Sequence, residues 1–207
     1  MRIILSFCIN KSFAVRSTGN LGNKNLTRGQ DANIQELTFF KSGMTRIDGL
    51  EKLKQLRSIS FNLTAFITDY SFLKKAKTLE KLVITYGPDT SDWTFIEELS
   101  NLKILFIEGY RQKNIALDLT NLTSLEYLPI FGSDLESFPD IKNIPRSLKY
   151  LNLTSNKISS LPPDFGQYSH TTIFLKANPI ENQGIKKRNI IFDWARNFLP
   201  EEYIIPY

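Results

Sequence analysis

Between Leu148 and Leu161 apolar residues fall at a fixed spacing, at Leu148, Leu151, Leu153, Ile158 and Leu161, with Asn156 in a single polar slot among them. The spacing restarts at Ile34, Leu56, Leu79, Leu102, Leu125, Leu148 and His170, in steps of 22, 23, 23, 23, 23 and 22 residues. In every unit the fourth and sixth positions are apolar: Leu37 and Phe39, Ile59 and Phe61, Leu82 and Ile84, Leu105 and Ile107, Leu128 and Ile130, Leu151 and Leu153, Ile173 and Leu175. Alternation with period two predicts one short strand per unit, these residues facing inward and their neighbours the opposite side. The segments between strands are short. Asp69 and Asp92 stand where N-caps would, each before an aromatic and an apolar pair, and predict short helices or 3₁₀ turns. Pro139, Pro145, Pro162 and Pro163 predict extended or 3₁₀ returns later in the chain.

Units of this length with the frame L-x-x-L-x-L-x-x-N-x-I-x-x-L resemble the leucine-rich repeat family, in its short bacterial-type form of 22–23 residues. The resemblance covers residues 34–181. It implies an α/β fold, a right-handed leucine-rich repeat solenoid with a concave parallel β-sheet, with short helices, 3₁₀ turns and extended segments on the convex side and a C-terminal cap helix. The chain then divides into an N-terminal cap strand and loop over 1–33, about seven repeats over 34–181, and a C-terminal cap helix and tail over 182–207.

At the start of the chain Leu5, Phe7 and Asn10 match the fourth, sixth and ninth slots of a unit, and 17–31 reads as a loop or hairpin covering the first edge. In the family the ninth slot is commonly asparagine, whose amide bonds neighbouring backbones. Here it holds Ser42, Thr64, Gly87, Tyr110, Ser133, Asn156 and Asn178, so the resemblance implies a regular ladder only at the C-terminal end. Asp89 and Gln112 replace apolar residues at the eleventh slot and predict that 87–91 and 110–114 bulge into solvent. At the other end Ile190, Ile191, Trp194, Ala195, Phe198 and Leu199 fall at helical spacing before Pro200, predicting a cap helix over 185–199 in which Trp194 and Phe198 pack on the last turn.

Composition changes this picture little. At 42% hydrophobic and 23% charged residues the chain is ordinarily globular, which excludes disorder for most of it. Lysine and arginine outnumber aspartate and glutamate by 26 to 21, too mild an excess to point to nucleic acid, and Lys186, Lys187 and Arg188 read as a solvated face. No nucleic-acid partner is expected. With one cysteine, Cys8, no internal disulfide forms, and the thiol reads as buried and structural. The apolar run at Met1 to Ile9 is short for an export signal and lacks a small-residue cleavage site, so the compartment stays open. No stretch approaches the roughly 18 apolar residues of a membrane span. His170 reads as a half-buried histidine in a leucine slot, and no metal-binding, phosphate-loop or nucleophile motif is present. The sequence therefore predicts no enzyme, no catalytic or metal-ligating residue and no cofactor.

What remains is the outward side of the strands. The third, fifth and seventh positions, written as columns, bring together Ile104, Phe106, Tyr127, Pro129 and Phe131, with Val83, Tyr86, Tyr150 and Phe174 at the margins and Lys81 and Glu108 as a polar rim. Adjacent strands lie about 4.8 Å apart, so these residues are neighbours on the concave sheet. Facing water, such a patch is what binding surfaces look like. The expected function is a non-enzymatic protein-protein interaction module holding a protein or peptide ligand there. The alternatives are a self-associating structural protein, possible as a homo-oligomer, and the targeting domain of a larger bacterial effector. A terminal segment or a partner copy lying over the patch, or the rings packing on one another, would also account for it.

Overall fold

The computed structural model of the 207-residue chain describes residues 2–6, 15–17, 34–40, 50–64, 67–87 and 92–195, the first two segments by backbone. Its strands, in chain order, are β1 (Arg2–Ser6), β2 (Val15–Ser17), β3 (Glu36–Phe40), β4 (Ser58–Asn62), β5 (Lys81–Thr85), β6 (Ile104–Glu108), β7 (Ala116–Asp118), β8 (Tyr127–Phe131), β9 (Asp140–Lys142), β10 (Tyr150–Asn152), β11 (Thr172–Phe174) and β12 (Ile190–Ile191). Among the described residues ten of these make one sheet, in the order β12-β11-β10-β8-β6-β5-β4-β3-β1-β2, parallel throughout except for the antiparallel β1–β2 edge. Strands β7 and β9 form a separate parallel pair on the return side.

The register is the one the period demands. Leu37, Ile59, Leu82 and Leu105 stand side by side on β3 to β6, and Phe39, Phe61, Ile84 and Ile107 likewise. All of them are buried. Each such side chain contributes about 2 kcal/mol by leaving water. Their far side is closed by one-turn 3₁₀ helices, Leu50–Lys52, Ser71–Lys75, Thr94–Glu98, Phe165–Tyr168 and Pro179–Gln183. The alternative of short helices or 3₁₀ turns is thus resolved to 3₁₀ after Asp69 and Asp92, while the next two returns run through β7 and β9. The N-caps of two of these turns are Tyr70 and Trp93, not Asp69 and Asp92; the aspartates stand one residue earlier and accept from the Ser71 amide at 2.7 Å and the Thr94 amide at 2.9 Å. Phe72 and Phe95 then drop into the core, where Tyr70 and Phe95 lie 5.6 Å apart.

At the eighth position of six successive units the backbone turns left-handed: Leu63, Tyr86, Gly109, Gly132, Ser155 and Ala177 all have φ between 49° and 68°. The turn carries the chain out of the sheet without losing the ladder. The amides of Leu63, Tyr86, Gly109, Gly132 and Ser155 donate to the carbonyls of Thr85, Glu108, Phe131, Thr154 and Lys176 on the next unit. Only Gly109 and Gly132 adopt this conformation without strain; elsewhere it costs about 1 kcal/mol per residue.

The asparagine ladder forms where the sequence places it. Asn156 Nδ2 donates to the carbonyls of Ile130 (2.8 Å) and Leu153 (2.9 Å), and its Oδ1 accepts from the Leu135 amide (3.2 Å). Asn178 repeats the set with Leu153, Leu175 and the Ile158 amide. Further up, Ser133 accepts from the Tyr110 amide and donates to the Phe131 carbonyl, while the buried Thr64 hydroxyl has no backbone partner.

Several expectations need correction. At the N-terminal edge Ile3 and Leu5, not Leu5 and Phe7, stand level with Leu37 and Phe39. Phe7, Cys8, Asn10, the loop over 18–31, Ser42 and the bulge over 88–91 lie outside the described residues. In the second predicted bulge only 111–114 is exposed, because Tyr110 turns inward against Trp93 with ring centroids 5.9 Å apart. His170 is exposed beside the Pro145 carbonyl, and Thr171 fills the buried place next to it.

The cap helix predicted over 185–199 is not what its first residues form. Gly184 ends the last 3₁₀ turn at φ 65°, and Ile190–Ile191 adds a strand beside β11. The open edge of β11 offers unpaired amides, and these decide the conformation: Ile173 and Leu175 donate to the carbonyls of Asn189 and Ile191. The Asn189 side chain fixes the register by donating to the Tyr168 and Thr171 carbonyls. Trp194 is exposed rather than packed, and Phe198 and Leu199 lie outside the described residues.

Asn156→Ala removes a donor from two buried carbonyls and an acceptor from the Leu135 amide. A loss of about 3 kcal/mol is expected in urea denaturation; a loss below about 1 kcal/mol would contradict the ladder's role.

Candidate functional site

The strands that bury Leu and Ile toward the 3₁₀ turns point their odd positions to the concave side, and there a second apolar cluster forms, separate from the core. It consists of Val83, Ile104, Phe106 and Tyr127, with Phe131 and Tyr150 packed against it. Register brings them together: Val83 pairs with Phe106, Ile104 with Tyr127, and Tyr127 with Tyr150. Phe106 and Phe131 meet edge to face at 5.2 Å, Tyr127 and Tyr150 at 6.5 Å, and Tyr150 reaches Phe174 at 6.4 Å. The Asn152 amide donates to the Tyr127 hydroxyl at 3.3 Å.

The sequence therefore located the cluster but misjudged its exposure. Val83, Ile104, Phe106, Tyr127, Pro129 and Phe174 are buried, and Phe131, Tyr150 and Lys81 are half-buried. Rings on neighbouring strands spend their faces on one another instead of on water. Of the predicted site residues Tyr86 alone is well exposed, at 47%. Two residues outside the predicted set join it at the mouth of the sheet, Phe40 (44%) and Leu63 (39%). Phe40 ends β3 beside Asn62, and Leu63 and Tyr86 occupy successive left-handed turns. For Leu63 and Tyr86 the signal in the sequence is a bulky apolar residue at the eighth slot, where later units have Gly109 and Gly132; Phe40 stands at the seventh slot of its unit.

Lys81 and Glu108 do not form a common rim, since one opens β5 and the other closes β6. Glu108 is buried at 7% exposure. Its Oε1 accepts from the Tyr86 hydroxyl at 3.1 Å, while its Oε2 is buried without a hydrogen-bond partner. Burial raises the Glu108 carboxyl above the usual carboxylate range, against the opposing effect of the Tyr86 hydrogen bond. The negative charge of Glu108 in turn raises the Tyr86 phenol. The Tyr86 ring rests over Gly109, where a Cβ would collide with it.

The units also carry a column of charges. The second positions of successive units alternate in sign, pairing Arg57 with Glu80 (3.3 Å), Glu80 with Lys103 (2.8 Å) and Glu126 with Lys149 (2.7 Å). Exposed pairs of this kind contribute little each and serve mainly to hold register. On the convex side a groove of about 360 Å³ is bordered by Asp92, Glu97, Asp118 and Asp140. Hydrogen bonds from Thr94 and Thr120, first from their side chains and then from their amides, hold the Asp92 and Asp118 carboxyls below the usual range. No group of three or more potential metal ligands occurs among the described residues.

No family model matches the chain. Human lumican is 30% identical over 138 residues, 65% of this chain and 39% of its own length. Adenylate cyclase from fission yeast (Schizosaccharomyces pombe) is 30% identical over 93 residues, only 6% of its length, so the chain spans a minor part of these curated relatives. Among solved structures, an internalin C2 from Listeria monocytogenes superposes with a TM-score of 0.55 at 20% identity, covering 87% of this chain and 78% of that one. An LRR protein from Leptospira interrogans superposes with a TM-score of 0.54 at 21% identity, covering 72% of this chain and 45% of that one. These likenesses to solved structures concern the fold.

Two predictions follow from the concave layer. Phe106→Ala truncates a buried ring and is expected to cost about 3 kcal/mol in chemical denaturation; a near-neutral effect would restore the open patch. For Glu108, the folded state holds the proton more tightly than the unfolded chain. Its contribution to stability is therefore present below the unfolded value of about 4.3 and lost as pH rises through the raised folded value. Glu108→Gln is expected to flatten the fall in melting temperature over that window and to melt higher than the wild type at neutral pH, and an unchanged pH profile would show the carboxylate to be solvated.

Proposed function

Since the chain is a leucine-rich repeat protein, we propose that it is a non-enzymatic protein-protein interaction module that holds a protein or peptide ligand along its concave sheet. Protein binding is the general property of the fold; the location on this chain is our reading. The observation that carries it is the second apolar cluster, built on the side of the sheet away from the core and bordered by exposed large apolar residues. Val83, Ile104, Phe106, Tyr127, Pro129 and Phe174 form a rigid floor. Phe131 and Tyr150, half-buried, and Tyr86, Leu63 and Phe40, exposed, are the surfaces a ligand can touch.

The physical advantage of this arrangement lies in preorganisation. A floor already packed loses little conformational entropy on binding, and a rim of a few large side chains supplies the anchors. Left-handed φ at Leu63 and Tyr86 keeps two bulky side chains displayed at a cost the fold carries elsewhere, as strained residues at binding sites do. No helix among the described residues is long and apolar enough to cross a membrane.

A photo-crosslinking amino acid at position 86 or 131 tests the location. Adducts to a protein partner are expected from both, none from the convex position 74, and loss of those at 131 in a Leu63→Ser/Tyr86→Ser background that melts within a few degrees of wild type. Equal adducts from position 74 would remove the concave sheet as the site. Adducts at twice the chain mass would replace the ligand by a second copy of this chain.

A further inference from the structure

Glu108 is a carboxylate in a place that gives it almost nothing to bind. It closes β6 on the concave face, two residues after Phe106, and stands in register between Thr85 and Phe131. The nearest hydroxyl by register is turned away, since Thr85 Oγ1 donates to Asn62 Oδ1 at 2.9 Å. One oxygen is taken by Tyr86, the other is shut from water with no partner, and no salt bridge to Glu108 is found among the described residues. A buried acid without a cation is costly to a fold, and its companion group is the natural thing to look for.

The surroundings indicate what that companion is. Phe106 and Phe131 present a T-shaped pair of rings next to it. Gly132, in the turn after Phe131, leaves room beside the acid, because a Cβ there would lie only 3.8 Å from Glu108 Cγ and anything larger would begin to cover it. Tyr86 lies outside the strands, is nearly half exposed and rests on Gly109, so it is the wall that can swing.

We propose that Glu108, with the rings of Tyr86 and Phe131 over the buried Phe106, forms a recognition site for a lysine-type ammonium group carried by the ligand; this rests on the concave binding reading above. An ammonium group fits better than a guanidinium. It is a compact point charge that one free oxygen can satisfy, whereas the planar fork of arginine asks for both oxygens and one is held by Tyr86. The aromatic faces add attraction for a cation that a neutral side chain would not feel, and the absence of water strengthens both effects.

The probe is Nα-acetyl-lysine amide, titrated into the whole chain and followed through the amide signals of Tyr86, Gly109 and Gly132, with Nα-acetyl-norleucine amide as the uncharged match. A saturable response to the lysine probe is expected, weaker by about tenfold or more for norleucine. Glu108→Gln, nearly isosteric, is expected to lose that response by a similar factor while keeping the wild-type spectrum elsewhere. Tyr86→Phe frees the first oxygen and is expected to bind the lysine probe at least as tightly as the wild type. No response in the wild type, an equal response to norleucine, a response undiminished in Glu108→Gln, or its loss in Tyr86→Phe would each overturn the site. If position 131 still crosslinks a protein partner after such a result, the ammonium site alone falls and the concave surface stands.

Discussion

Strand-to-strand register is the constraint from which the remaining features of this chain derive. Each unit is too small to bury its own apolar face, so stability comes only from stacking it level with the next, and a slip of one residue would turn every inward Leu or Ile to the wrong side. Several devices hold that register: the amides of the left-handed eighth positions, the side chains of Asn156 and Asn178, and the alternating charges of Arg57, Glu80 and Lys103. They act at different distances from the core, which is why a unit can lack one of them and still stack.

Once register is set, both faces of the sheet acquire their character without further instruction. Fourth and sixth positions make the core against the 3₁₀ turns. Third, fifth and seventh positions line up into columns, and where large apolar residues recur across β5, β6, β8 and β10 the columns become a second layer. The same alignment that buries Phe106 also places Glu108 level with Phe131, and the turn after β5 delivers Tyr86 onto both Gly109 and the acid. Function in this reading comes from what a rigid lattice of positions displays, with no reactive group required.

Much of this was legible in the residues. The step of 22–23 residues fixed the strands, the buried pair in each unit and the place of the asparagine ladder, because periodicity and burial are linked by geometry alone. Exposure on the concave side was not legible, since whether Phe106 faces water depends on how rings from neighbouring strands close over one another. The left-handed turns were hidden for a different reason: Leu63 and Tyr86 are residues that ordinarily avoid that conformation, and only Gly109 and Gly132 hint at it. At the C-terminal end helical spacing at Ile190, Ile191 and Trp194 was a true pattern outweighed by the unpaired edge of β11. The unusual state of Glu108 could not be read from its position in a column, because its neighbours decide it.

The central claim is that one sheet carries a closed apolar layer on each side. Nuclear magnetic relaxation by a soluble gadolinium chelate measures this directly at side-chain protons. The account predicts that Val83, Ile104 and Phe106 are shielded nearly as well as Ile84 and Ile107, while Tyr86 and Leu63 relax strongly. Relaxation at Val83 and Phe106 matching that at Tyr86 would mean the concave layer is open, and the account would fail.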